Sequence, residues 1–337
     1  MRCLIWGAGA IGGTMGAYLA RAGHDVTLVD VVDEHIAAVR QHGLHITGPI
    51  ADFTQTMPAY TPAQLTGVWD TIVLATKAQH TEAATQALRP HLAPTGCVVS
   101  AQNGLNEITI ARLVGADRTV GAFVNFGADY LEPGVILYGG RGAVVIGEID
   151  GQVTPRVTAI HAAWRHFDDR AIITPNIWGF LWGKQAYGAM LFTTALTNES
   201  IADALAMPAY RAVYIALARE ILAVASARGV TPLGFDGFDP SAYLPGAPAN
   251  APDQSLDALV AHNRRSAKTH SGIWRDLAVR KRRTEVDAQL GIVVTLGAEA
   301  GVPTPLTARL VELIHDIENG TRTQSLDTLA ALAAVLT

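Results

Sequence analysis

Cysteine is nearly absent from this chain of 337 residues: there are two, Cys3 and Cys97, each inside a short apolar run. Thiols so placed exclude a disulfide framework and read as reduced core side chains of a cytoplasmic protein. Aromatic residues make up 7% and charged residues 16%, while the 49% hydrophobic share is ordinary for a soluble α/β protein. A net charge of −5 disfavours nucleic acid or an anionic membrane as the main partner. No apolar stretch runs uninterrupted for the length of a bilayer, and the apolar opening lacks the basic n-region of a secretory signal. No Cys/His spacing suits a metal, and there is no nucleophile elbow, internal repeat or low-complexity tail. His161 and His166 lie about 140° apart around a helix, which makes them poor co-ligands.

What is present begins at once. Cys3-Leu-Ile-Trp6 is a buried parallel strand by composition, followed by Gly7-Ala-Gly9-Ala10-Ile11-Gly12. Gly7 permits the tight turn, Gly9 lets backbone approach a pyrophosphate, and Gly12 lets helix and strand pack closely. The helix starting near Ala10 and Ile11 would aim its free N–H groups and positive dipole end at phosphate. A second strand, Val26-Thr-Leu-Val29, stops at Asp30, where a carboxylate can accept from ribose hydroxyls. Glycine-rich turns occur by chance, but here strand, helix, second strand and acid stand in register.

Strands and helices then alternate, which predicts a parallel sheet covered on both faces. A helix is predicted over 33–41 with Gly43 as its C-cap, and later strands over 71–75, 97–100, 119–125, 135–138, 143–146 and 171–174, with a helix over 153–166. The glycines of 139–142 read as a tight turn. From Pro175 the period becomes helical: 178–196, 210–228, 255–269, 284–300, 306–319 and 325–336. Residues 234–252, rich in Pro, Gly and Asp, read as a surface insertion rather than a lid. The fold expected is an α/β Rossmann-type doubly wound sheet over 1–175, binding a dinucleotide, followed by an all-α domain over 176–337 for substrate and dimerisation.

Reducing a carbonyl with a nicotinamide requires a proton donor and polar groups that hold the substrate. Lys184, on a strongly apolar helix, is a donor whose pKa desolvation would lower; taken locally, a lysine snorkelling from a helix end is the better account of it. Glu285 follows Lys281-Arg-Arg-Thr284, and a favourable charge at a helix start is its bland account. Lys77 and Asn103 each follow a parallel strand at its C-terminal end, where open α/β sheets place ligands; turn chemistry alone also suits Asn103-Gly104. His270 reads as a packed or solvated histidine.

Taken together these pieces resemble the ketopantoate reductase (2-dehydropantoate 2-reductase) family. The resemblance runs nearly the full length, through Gly7 to Gly13, Gly23-His-Asp-Val-Thr-Leu-Val29, Thr76-Lys77-Ala78, Gln102-Asn103-Gly104-Leu105, Trp182-Gly-Lys184, Thr284-Glu285-Val-Asp287 and Gly301-Val-Pro-Thr-Pro305. It implies Lys184 as general acid and Glu285 as the carboxylate orienting it. Asn103 would hold the reacting carbonyl, and Lys77 would line the cofactor site. The family's arginine for an adenosine 2′-phosphate is replaced by Val31 beside Asp30, which predicts NAD rather than NADP. The asparagines expected four and eight residues after the lysine are Gly188 and Phe192, and the family's serine is matched by Ser271 with a one-residue shift. An altered, more apolar pocket is therefore expected. The activity implied is reduction of a 2-oxo acid, 2-dehydropantoate or a relative, by a homodimer. An NAD-dependent D-2-hydroxyacid dehydrogenase for branched or aromatic 2-oxo acids, a silent NAD-binding regulator and an opine-type dehydrogenase remain open.

Overall fold

Alternation within the first strand decides the architecture. In β1 (Arg2–Trp6), Cys3 and Ile5 enter one apolar cluster, Leu4 and Trp6 another, and none of the four is more than 4% exposed. A strand buried on both faces belongs inside a sheet with cover on either side. The computed structural model, which describes residues 1–265 and 269–336, shows such a sheet in the unit Met1–Ile177. After β1 come α1 (Ala10–Arg21), β2 (Asp25–Val29), α2 (Asp33–His42), β3 (Leu44–Thr47), β4 (Phe53–Gln55), β5 (Ala59–Tyr60) and β6 (Trp69–Leu74). The chain continues through α3 (Thr81–Leu88), β7 (Leu92–Ser100), α4 (Glu107–Val114), β8 (Thr119–Val124), β9 (Gly127–Glu132), β10 (Val135–Gly140), β11 (Val144–Glu148), α5 (Pro155–Trp164) and β12 (Ile172–Ile173).

The main sheet has the order β12-β11-β8-β7-β6-β1-β2-β5, and every neighbouring pair is parallel except β8 with β11. A second sheet, β4-β3-β10-β9, was not visible in the sequence. It covers α1: a Cβ on Gly13 would lie 2.4 Å from Cδ1 of Ile136 in β10, so only glycine allows that approach. Residues 139–142 are not a hairpin turn. β10 pairs with β9 and β3, β11 pairs with β8, and the glycines carry the chain from one sheet to the other.

The unit Trp178–Thr337 is helical. It contains most of α6 (Ile177–Thr194), then α7 (Ile201–Ala206), α8 (Arg211–Ala227), α9 (Ala251–Arg264), α10 (Gly272–Ala278), a π-helical turn at Asp287–Gly291, α11 (Ile292–Ala300), α12 (Pro305–Glu318) and α13 (Leu326–Ala333). The short α7 and α10 escape a search for helical periodicity, although Ser200 and Ser271 cap them by accepting from the N–H of Asp203 and Trp274. Residues 266–268 of the helix expected over 255–269 lie outside the described residues. The 234–252 segment is packed rather than a free excursion, with Phe238 5.7 Å from the Tyr187 ring of α6 and stacked at 5.8 Å on Tyr243. Among the described residues no helix is long and apolar enough to cross a membrane.

Glu107, at the start of α4, is 1% exposed and neither carboxyl oxygen completes a hydrogen bond. Burial pushes its pKa up to about 8, whereas the unfolded chain ionises it above about 4.3. Because the folded value is raised, the neutral form is favoured by folding, and stability falls as pH rises from the unfolded value towards the folded one. Glu107→Gln is expected to raise the melting temperature, with a gain that grows between pH 5 and pH 8 and reaches roughly 5 °C. A gain that does not change with pH would remove Glu107 as the titrating group.

Candidate active site

Each glycine of the first turn meets a different constraint. Gly7 has φ +101°, and its Cβ would lie 2.8 Å from the Ala75 carbonyl carbon. A Cβ on Gly12 would sit 2.1 Å from the Gly7 carbonyl oxygen, so this position holds α1 against β1. At Gly9 an added Cβ would meet nothing within 4 Å: the face is open. No side chain caps α1, and the N–H groups of Gly9, Ala10 and Ile11 find no acceptor among the described residues. Unsatisfied donors around an open glycine at a helix N-terminus fit an anion such as pyrophosphate.

Asp30 completes this corner. Its Oδ2 accepts from the Ala8 N–H at 2.8 Å and its Oδ1 from the Val32 N–H at 3.1 Å. Two lone-pair positions remain for hydroxyl donors. Val31 beside it is 76% exposed and brings no charge. His35, in the first turn of α2, was missed in the sequence because one histidine on a helix carries no motif. It is buried, its Nε2 lies 2.9 Å from the Ala8 carbonyl, and burial holds its pKa below the ordinary value.

The strand order then sets a row. β2, β1, β6 and β7 are neighbours, so Asp30, the glycine turn, Lys77 and Asn103 follow one another along the C-terminal edge. Lys77 and Asn103 are both exposed. Beneath them Gln102 is 4% exposed and donates to the Thr76 carbonyl at 3.0 Å and to the Thr81 hydroxyl at 2.8 Å. Asn106 donates to the Asn103 carbonyl at 2.7 Å. This buried amide network fixes the loops that carry Lys77 and Asn103 against each other.

In the helical unit Lys184 and Glu285 are both half-buried. Gln185, next to Lys184 on α6, donates to the Gln289 carbonyl, and the Gln289 N–H donates to the Glu285 carbonyl at 2.9 Å. One side-chain bond thus docks the lysine's helix against the turn that follows the glutamate. That turn, Asp287–Gly291, is π-helical rather than the plain α-helix expected, a form frequent at functional sites. Thr284 is held from behind, its N–H and hydroxyl both donating at 2.7 Å to Oε1 of Glu318. Glu318 lines a cavity of about 600 Å³ together with Lys281 and Arg282, and none of the predicted site residues borders it.

The remaining predicted residues separate. A Cβ on Gly188 would lie 3.9 Å from Oε1 of Gln289, so this position faces the same turn with room to spare. Phe192 has no exposed surface and is a core side chain, so the apolar pocket predicted from it is corrected. Ser271 is 3% exposed, and its hydroxyl accepts from the Trp274 N–H at 3.1 Å as the cap of α10. His270 packs against Trp274 with its ring tilted by 34° and the centroids 4.1 Å apart.

Two family models match along the chain: ketopantoate reductase PanE/ApbA over residues 3–151 and its C-terminal model over residues 176–318. The chain belongs to the ketopantoate reductase family. It is a nicotinamide-dependent oxidoreductase of that family with the fold described above. The 2-dehydropantoate 2-reductase of Halobacterium salinarum is 26% identical over 94% of this chain and 98% of its own length. The crystal structure of a PanE/ApbA family ketopantoate reductase from Ralstonia eutropha superposes with a TM-score of 0.79 at 26% identity, covering 95% of this chain and 99% of the other. The ternary structure of D-mandelate dehydrogenase with NADH and anilino(oxo)acetate shares the fold at a TM-score of 0.81 and 20% identity, over 95% and 99% of the two chains.

The glycine geometry separates two substitutions. Gly12→Ala forces its Cβ against the Gly7 carbonyl and is expected to lower the melting temperature by roughly 4–8 °C. Gly9→Ala enters open space, so its melting temperature should stay at the wild-type value while nicotinamide dinucleotide affinity, followed by NADH fluorescence, falls at least tenfold. Equal loss of stability in both would show that Gly9 serves packing alone.

Proposed function

We propose that the chain reduces the carbonyl of a 2-oxo acid, 2-dehydropantoate foremost, with NADH. The observation that carries this is the docking of Lys184 and Glu285 on adjoining elements through Gln185 and Gln289. Curated relatives matched over nearly their whole length are named for that reaction. A bound nicotinamide supplies the hydride. Lys184 donates the proton that turns the developing alkoxide into the hydroxyl. Glu285 orients the ammonium, and Asn103 donates to the substrate's oxygen and holds its carbonyl carbon for attack. The sequence 1–175 is the dinucleotide-binding part, with Lys77 lining it, and 176–337 carries the acid and the dimer contacts of a cytoplasmic homodimer.

The cofactor follows from charge. A 2′-phosphate set about 4 Å from the Asp30 carboxylate would be repelled by about 4 kcal/mol at an effective dielectric of 20, and Val31 offers no cation to offset it. The same fold holds NADH in D-mandelate dehydrogenase. A D-2-hydroxyacid dehydrogenase remains the second reading, on the strength of Asp30 and of Gly188 in place of an amide.

Direct titration should show NADH bound at least tenfold more tightly than NADPH, and Val31→Arg should narrow that gap; a wild-type preference for NADPH would overturn the assignment at Asp30. With a panel of ketopantoate and branched and aromatic 2-oxo acids, Lys184→Ala should lower kcat at least 10³-fold with NADH affinity unchanged. Turnover that survives would take Lys184 out of the reaction, and the panel's fastest member distinguishes the two substrate readings.

A further inference from the structure

The two ring nitrogens of His35 have opposite roles. The Gly134 N–H donates to Nδ1 at 3.0 Å, so Nδ1 must carry a lone pair. The proton then sits on Nε2, which donates to the Ala8 carbonyl at 2.9 Å. Only the neutral Nε2–H tautomer satisfies both partners. A proton added at Nδ1 would point at the Gly134 N–H and break that bond.

The Ala8 carbonyl belongs to the peptide that joins Ala8 to Gly9. In a planar trans peptide the C=O and the following N–H point in opposite directions. A carbonyl drawn towards His35 therefore turns the Gly9 N–H to the other side, where no acceptor stands among the described residues. The Ala8 N–H is fixed independently, by Asp30 at 2.8 Å.

We propose that His35 is a positioning residue of the dinucleotide site: its neutral ring clamps the Ala8 carbonyl to the Gly134 turn and so aims the Gly9 N–H at pyrophosphate, and its protonation weakens cofactor binding. This rests on the reading of the glycine turn as a dinucleotide site. The titratable groups facing the ring are Asp30, just after β2, and Tyr130 of β9 with its ring 5.2 Å away; Glu34 of α2 and Glu132 of β9 act in turn on Tyr130. Burial lowers the pKa of His35 more than its hydrogen bond to Ala8 and the Asp30 charge raise it. The clamp is therefore complete above the ordinary histidine value of about 6.5 and is lost as pH falls through the lower folded value.

NADH and NADPH binding would be titrated by fluorescence between pH 5 and pH 8 on wild type, His35→Gln and His35→Phe. The wild-type Kd is expected to rise tenfold or more towards pH 5. His35→Gln, whose amide can donate to Ala8 and accept from Gly134, should bind within a few-fold of wild type at pH 7.5 with a flat profile. His35→Phe should bind at least tenfold more weakly throughout, and if it does not fold, wild type against His35→Gln decides. Nitrogen NMR of the cofactor-free protein should show the Nε2–H tautomer and a pKa below 6.5. Coincident pH profiles for wild type and His35→Gln, or an Nδ1–H tautomer at pH 7.5, would overturn the proposal. Failure of wild type to bind either dinucleotide at any pH would remove the reading of the turn and this proposal with it.

Discussion

The hydrogen bond from the Ala8 N–H to the Asp30 carboxylate joins the two ends on which the N-terminal site depends. β1 and β2 are already parallel neighbours, with Trp6 in register with Val29, but strand pairing stops there. Beyond it the chain must make a turn at a positive φ and then enter a helix, and nothing in the ladder dictates where that turn points. A carboxylate that accepts from Ala8 on one oxygen and Val32 on the other supplies the missing constraint. Charge-assisted bonds of this kind are roughly twice as strong as neutral ones. The carboxylate proposed to accept from ribose is thus also the one that shapes the glycine turn.

Side-chain amides do similar work elsewhere. Gln102 joins the loop after β7 to the loop after β6, and Gln185 joins α6 to the π-helical turn. Each bond contributes only about 0.5–1.5 kcal/mol net, yet a buried amide left unpaired costs about 1–3 kcal/mol. The asymmetry makes such groups better at excluding wrong arrangements than at adding stability. The order of α6 against the π-helical turn, and of the loops after β6 and β7 against each other, relies on that exclusion.

Which parts were legible in the sequence follows from the range of the interactions. The main sheet could be read because its strands are continuous apolar runs and its first turn has three glycines with separate steric reasons. The second sheet could not: Phe53-Thr-Gln55 is three residues long, and β9 reads Gly-Ala-Asp-Tyr-Leu-Glu, with no buried face apparent from composition. Pairing between β3 and β10 joins segments some ninety residues apart in the chain, beyond any local pattern. The same limit explains residues 139–142, where adjacency suggested a hairpin and tertiary pairing sent the two strands to different sheets. Lys184, Glu285 and Asn103 were legible only as members of a family pattern. The roles of His35 and Gln185 were not legible at all, since their partners are backbone groups and a backbone group leaves no mark in a sequence.

The two family asparagine positions that differ here carry different physical meanings. Phe192 lies wholly in the interior, so the phenyl ring replaces a polar contact by packing and presents nothing to a substrate. Gly188 leaves space, bounded at 3.9 Å by the Gln289 amide oxygen. The same glutamine takes the bond from Gln185 on its backbone carbonyl and presents its side chain to the gap at Gly188. Loss of an amide from α6 is therefore not the same as loss of polarity at this point, because the facing turn brings an amide of its own.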